Sequence, residues 1–211
     1  GGASEEEEEE EEVGAKGEVK LLVKRVNLVI VYGSTTGTAK GFAKLLAAEA
    51  PKAMNWRSGA GAGASACAGG SNSDLAVEAM VPVRTVAVDA DAHEPWDWVD
   101  EREEDAALVV VVLLSTWSGG APPVTAQRWC EALSDMASDF RVGSSALSLN
   151  TNFACYGLGS SLYDEHWCVP ALEAARCLAA LGAKAVTETG KGDDQDDMAA
   201  HFKAWRGIFW G

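Results

Sequence analysis

The sequence predicts an α/β fold, a five-stranded parallel sheet doubly wound with helices on both faces. Three observations carry that expectation. Apolar runs rich in β-branched residues alternate with segments of helical spacing, strand then helix, five times over. Two of the runs, residues 26–32 and 108–114, are apolar almost throughout, as strands covered on both sides should be. The chain has 211 residues, 47% of them hydrophobic and 23% charged, enough for one sizeable core plus extra segments.

The elements follow in order. Residues 1–23 hold eight adjacent glutamates, Glu5 to Glu12, which repel one another and bury nothing. They predict a disordered acidic arm ahead of a folded domain over residues 24–211. Residues 26–32 are the first strand. Residues 38–50 carry Phe42, Leu45, Leu46 and Glu49 at helical spacing. Residues 58–74 are dominated by Gly, Ala and Ser with no hydrophobic period, which predicts a flexible insertion. Residues 81–88, with Pro82 and a partly polar alternation, read as a strand at the sheet edge. Residues 108–114 are the strongest strand, and residues 124–136 the helix after it. A fourth strand is expected over residues 152–156, then a helix over residues 170–181 closed by Gly182. Residues 185–189 and 198–209 complete the pattern as a fifth strand and a final amphipathic helix.

Composition excludes several functions. The formal charge is -15, from 32 acidic against 17 basic residues, so there is no basic face to neutralise phosphates and direct nucleic-acid binding is not expected. The longest apolar run, residues 106–114, is too short to span a bilayer. No signal-peptide pattern opens the chain, and a start at Gly1-Gly2 suggests a piece of something longer. The five cysteines, Cys67, Cys130, Cys155, Cys168 and Cys177, form no CxxC or CxxxCxxC spacing. Reduced, packing cysteines in a cytoplasmic protein are the expectation, with no metal site.

In a doubly wound sheet, ligands sit outside the carboxyl ends of the strands where the winding reverses. Three loops therefore matter. The first, Gly33-Ser34-Thr35-Thr36-Gly37-Thr38-Ala39-Lys40, leaves a strand and enters a helix, so its amides and the helix dipole face any anion placed there. Hydroxyls at Ser34, Thr36 and Thr38 can donate to phosphate oxygens. The loop is neither a Walker A motif nor GxGxxG, and a cradle of hydroxyls without an invading cation suits a tightly held monophosphate. A Ser/Thr-rich helix cap is the plain alternative, though it accounts for one hydroxyl and not three. The second loop, Ser115-Thr116-Trp117-Ser118-Gly119-Gly120-Ala121-Pro122-Pro123, sets a Trp at the same edge, either to cover a flat ligand or to pack on a neighbouring loop. The third, Gly157-Leu158-Gly159-Ser160-Ser161-Leu162-Tyr163-Asp164-Glu165-His166-Trp167, adds Tyr163. Two aromatics beside a phosphate cradle specify a flat, phosphorylated ligand stacked between Trp117 and Tyr163. His166 is either a surface histidine or one lying near the ring.

The first and third of these segments resemble the phosphate and flavin loops of flavodoxin-like FMN domains. Within that superfamily, YGSTTGTAKGFA over residues 32–43, Ser115-Thr116-Trp117 with Pro122-Pro123, Trp129-Cys130-Glu131, and Asp139-Phe140-Arg141-Val142-Gly143 are most similar to the flavodoxin domain of eukaryotic tRNA 4-demethylwyosine synthases. The resemblance implies the flavodoxin strand order 2-1-3-4-5, which is that fold's known order. It implies FMN held by Ser34, Thr35, Thr36, Gly37, Thr38, Ala39, Ser115, Thr116, Trp117, Ser118, Gly119, Leu158, Gly159, Ser160, Tyr163, His166 and Trp167. Asp193 matches an acidic position that lines the flavin in diflavin relatives, or is a plain turn aspartate. Ser160 departs from the usual Asn after GLG, and one extra residue separates Tyr163 from His166. The implied role is electron transfer to a radical-SAM domain of the same polypeptide in wybutosine biosynthesis, with an NADPH-linked reductase or another donor supplying electrons. No side chain of this chain is expected to act as a catalytic acid, base or nucleophile. The alternative is the FMN domain of a diflavin reductase serving a haem protein; a ligandless interaction domain is a third reading.

Overall fold

The computed structural model describes residues 21–56, 77–100, 106–144, 146–147 and 150–211. The glutamate block and the Gly/Ala/Ser insertion lie outside them. The strands are β1 (Leu21–Gly33), β2 (Val77–Asp89), β3 (Ala107–Ser115), β4 (Thr151–Gly159), β5 (Lys184–Ala185) and β6 (Gly190–Asp193). The helices of the described residues are α1 (Thr38–Trp56), a single turn α2 (Asp97–Asp100), α3 (Val124–Ser138), α4 (Val169–Ala180) and α5 (Met198–Trp210). All pairings are parallel, in the order β2-β1-β3-β4-β5, with β6 also on β4. Both the fold class and the strand order match the sequence expectation.

Each central strand alternates between two cores, since successive side chains leave a strand on opposite faces. Val26, Leu28, Ile30 and Tyr32 of β1 join Val109, Val111 and Leu113 of β3 against α1 and α5. Val29 and Val31 join Leu108, Val110, Val112 and Leu114 against α3 and α4. Every residue of β3 from Ala107 to Leu114 is buried, which is why its sequence has no polar alternation.

β2 begins four residues before the expected 81 and β4 runs three residues past the expected 156, and four further boundaries differ from the sequence reading for a local reason. β1 begins at Leu21, so Leu21, Leu22 and Val23, assigned to the arm, belong to the sheet; their backbone continues the ladder with β2, Leu21 opposite Val77. α1 runs past Ala50 through Pro51 to Trp56. The buried stripe Ala39, Ala43, Leu46, Ala50 continues to Met54, and that packing outweighs the hydrogen bond Pro51 cannot make. α4 ends at a Leu181 cap, with Gly182 (φ +96°) one residue beyond. There the Ala183 amide reaches the Leu178 carbonyl (3.1 Å) and the Gly182 amide that of Ala179 (3.0 Å). The fifth strand, expected over residues 185–189, is two pieces. β5 covers Lys184–Ala185 alone, and the chain rejoins β4 as β6, whose Gly190 and Gly192 pass against aromatic side chains. A Cβ at Gly190 would lie 2.5 Å from both Trp205 Cδ1 and Tyr156 Cδ2. Only glycine fits, although β propensity points to the Val and Thr residues just before it.

Pro82 on β2 sits where the β1–β2 register slips, between Val26 and Asn27. A residue without an N–H is tolerated at such an irregularity on an edge strand.

Candidate functional site

β1, β3, β4 and β6 end side by side at the carboxyl edge of the sheet. A crevice of about 390 Å³ opens there, within the usual size of a small-molecule site. Its walls are Ser34, Thr35, Thr36 and Thr38 from the first loop, Ser115, Thr116 and Trp117 from the second, and Leu158, Gly159 and Tyr163 from the third. Asp194, Asp196 and Met198 close the remaining side.

The first loop is ordered by its own hydroxyls. The Gly37 amide donates to Ser34 Oγ (3.0 Å), and the Thr36 and Thr38 hydroxyls stand 3.2 Å apart. Gly37 holds φ +87° with no atom within 4 Å of where a Cβ would be, leaving the space beside the cradle open. The Gly41 amide bonds the Gly37 carbonyl (2.9 Å), the first turn of α1. The amides of Thr38, Ala39 and Lys40 have no carbonyl one turn earlier in the helix to accept them, which makes them anion donors. Ala39 itself is fully buried in the α1/α5 core, so only its amide faces this region. Lys40 leans towards the Tyr32 ring, its Nζ 6.0 Å from the centroid.

The second loop is pinned from beneath. Ser115 Oγ donates to the Gly33 carbonyl (3.1 Å), the Thr116 amide to the Leu158 carbonyl (2.7 Å), and the Cys168 amide to Thr116 Oγ1 (3.1 Å). With its base fixed, the loop leaves Trp117 53% exposed, and Tyr163 of the third loop, which lines the same crevice, is 43% exposed. Two large rings left this open on a crevice wall can cover a flat ligand without losing contacts they already make. Ser118 and Gly119 (φ +68°) form the turn behind Trp117 and are not among the lining residues.

The remaining sequence candidates support the crevice rather than line it. Ser160 is buried and its Oγ accepts from the Leu162 amide (3.4 Å). Trp167 Nε1 donates to the Gly192 carbonyl (3.2 Å) and Lys191 Nζ lies 5.2 Å above its ring, so this indole braces the third loop against β6. His166 packs over Gly120, its Nδ1 3.1 Å from where a Cβ would stand. Asp193 is nearly buried at the end of β6, and its Oδ1 accepts the amides of Ser161 (2.9 Å) and Gln195 (3.0 Å). The Ser161 hydrogen bonds are the main reason its carboxyl is held below the usual carboxylate range. Asp194, Asp196 and Met198 were not singled out in the sequence. The signal was present, since residues just after the last strand also reach the carboxyl edge, but the split of that strand concealed where it ends.

The donor set fits a phosphate monoester: four hydroxyl side chains, first-turn amides, and open space beside Gly37. The aromatic walls fit a planar ring attached to it. Of the four cysteines among the described residues, Cys155, Cys168 and Cys177 are buried. Burial pushes the Cys168 thiol up to about 12, so this thiol beneath the second and third loops is a packing group and not a nucleophile.

Comparison with known proteins agrees with this geometry. The profile of the Flavodoxin family matches residues 73–205. The S-adenosyl-L-methionine-dependent tRNA 4-demethylwyosine synthase of Pongo abelii is 31% identical over 85% of the chain, and that of Danio rerio 27% over 91%. The NADPH–cytochrome P450 reductase of Phanerodontia chrysosporium is 27% identical over 90% of the chain. The chain spans only 23%, 21% and 22% of the Danio, Pongo and Phanerodontia proteins respectively. Among solved structures, a Streptococcus pneumoniae TIGR4 flavodoxin superposes with a TM-score of 0.54 at 16% identity, covering 87% of this chain and 97% of that one.

Proposed function

We propose that this chain, which belongs to the flavodoxin family, binds FMN in the carboxyl-edge crevice and carries electrons to the radical-SAM domain of a tRNA 4-demethylwyosine synthase. The observation that carries the cofactor is the hydroxyl cradle of Ser34, Thr35, Thr36 and Thr38 lining one crevice together with two half-open aromatics. Bound FMN supplies one- and two-electron redox chemistry, and the protein supplies orientation and electrostatics. The first-loop hydroxyls and the amides of residues 38–40 hold the phosphate. Trp117 and Tyr163 flank the ring and exclude water from its faces. Asp194 and Asp196 set negative charge along one wall. Ser118, Gly119, Ser160, His166, Trp167 and Asp193 shape the loops and touch the cofactor less directly.

The choice of acceptor rests on the tRNA 4-demethylwyosine synthases, of which the Pongo abelii protein reaches 31% identity against 27% for the reductase. In that setting the electrons come from an NADPH-linked reductase or another donor, tRNA is engaged elsewhere in the enzyme, and the work is cytoplasmic. The reductase similarity supports a second reading, an FMN domain feeding a haem protein. No described helix is long and apolar enough to cross a membrane. A cellular experiment separates the two readings. In the parent organism, alanine replaces Thr36 and Thr38 in the chromosomal copy, and tRNA nucleosides are quantified by mass spectrometry. The first reading expects wybutosine to fall and its unmodified precursor to accumulate; unchanged wybutosine with impaired haem-protein reduction supports the second.

A further inference from the structure

His201, in the first turn of α5, touches the crevice wall with one ring nitrogen and the end of β6 beneath that wall with the other, although it is not itself part of the wall. Its Nδ1 accepts the backbone amide of Asp193 (3.4 Å), and its Nε2 lies 3.2 Å from Asp196 Oδ2. Those partners assign the tautomer. An imidazole that accepts at Nδ1 and faces a carboxylate at Nε2 carries its single proton on Nε2. Asp193 in turn joins two loops, because its carboxylate takes the amide of Ser161 at the head of the Tyr163 turn and that of Gln195 between Asp194 and Asp196. One ring therefore holds the residue that sets the spacing between Tyr163 and the acidic wall.

We propose that neutral His201 is a positioning residue for the flavin crevice, and that a second proton on its ring frees the Asp193 amide from which the Asp194–Asp196 wall continues. Protonation places an N–H on Nδ1 directly against the Asp193 N–H. Two donors then face each other and the amide loses its acceptor. The Asp196 contact survives as an ion pair, so only one side of the latch opens. The charged groups about the ring are the carboxylates of Asp193 on β6 and of Asp196 in the connecting turn. The Asp197 carboxylate accepts the Ala200 amide (2.9 Å), and Lys191, the cation of β6, lies over Trp167. The FMN consequence rests on the function proposed above, whereas the latch can be read without any flavin.

The test has two arms. In the first, the flavin-free chain is titrated from about pH 8 to about pH 5 by NMR, the range in which imidazoles change charge. The Asp193 amide is expected to shift with the same midpoint as the His201 ring carbons; an Asp193 amide indifferent to that titration overturns the proposal. In the second, FMN dissociation constants are measured across the same range for the wild type and for His201→Asn. The Asn amide oxygen keeps an acceptor near the Nδ1 position and takes up no proton. FMN phosphate also titrates near this range, equally in both proteins, so the ratio of the two profiles isolates the ring. Wild-type affinity is expected to fall about threefold to tenfold more than that of the variant on acidification, the worth of one neutral hydrogen bond. Superimposable profiles overturn the positioning role. If neither protein binds FMN at any pH, the flavin reading fails and the positioning role with it, while the amide arm still reports whether the Asp193–His201 contact exists.

Discussion

Two aromatics on the crevice rim carry the sharpest expectations for single residues. Trp117→Ala and Tyr163→Ala should each weaken FMN binding about threefold to tenfold, the worth of one stacked contact beyond area burial. Each should also lengthen the fluorescence lifetime of the flavin still bound, because a stacked Trp or Tyr quenches the excited ring by donating an electron. Trp129 is the control. It is buried edge-to-face on Trp98 (5.8 Å between centroids) in the α3/α4 core, so Trp129→Ala should cost roughly 3–5 kcal/mol of stability and leave flavin affinity unchanged. Urea unfolding beside FMN titration checks both halves. The sequence made the hydroxyls and the two rim aromatics legible because each lies in or at the end of a loop that follows a strand at the carboxyl edge. It could not show that the Trp167 indole turns away to the Gly192 carbonyl, or that His166 packs over Gly120. Loop membership places a residue at an edge, but packing decides which way its side chain turns.

Among the elements, those with a strong hydrophobic period match the sequence expectation almost to the residue: β3, α3, α4 and α5 each begin and end within one or two residues of it. The failures had tertiary causes. α1 outran Pro51 because Met54 still had a core to enter, and the fifth strand broke because two glycines were needed beneath Tyr156 and Trp205. That second reason predicts a measurable cost. Gly190→Ala forces a methyl against two ring atoms 2.5 Å away, and overpacking of this kind costs about 1–3 kcal/mol. Because β6 leads straight into the Asp194–Asp196 wall, the substitution should also weaken FMN binding. A variant of wild-type stability would show that the aromatic layer yields freely at this point, against the account given for the split strand.

At the scale of the whole molecule, folding ties an acid-sensitive carboxylate into the site. The folded-state value of Asp193 is depressed, so its contribution to stability is complete above the ordinary carboxylate value of about 4 and is lost as pH falls through the folded-state value. Asp193→Asn should therefore flatten the acid limb of the stability curve below about pH 4, read as thermal midpoints against pH. A variant whose acid limb superimposes on that of the wild type would show that this carboxylate is not coupled to folding. The same residue joins the third loop to the last, so global stability and crevice geometry share one anchor.

The central claim is that the carboxyl-edge crevice recognises a flavin through its phosphate. Titrating the flavin-free chain with FMN and with riboflavin tests it most directly, because the two ligands present the same ring and differ in the phosphate. Hydrogen bonds to a charged group are worth about 1.5–3 kcal/mol each, so two first-loop donors alone should favour FMN by roughly a hundredfold or more. Thr36→Ala with Thr38→Ala should erase most of that preference while leaving riboflavin binding unchanged. Equal affinities of the wild type for FMN and riboflavin would contradict the account.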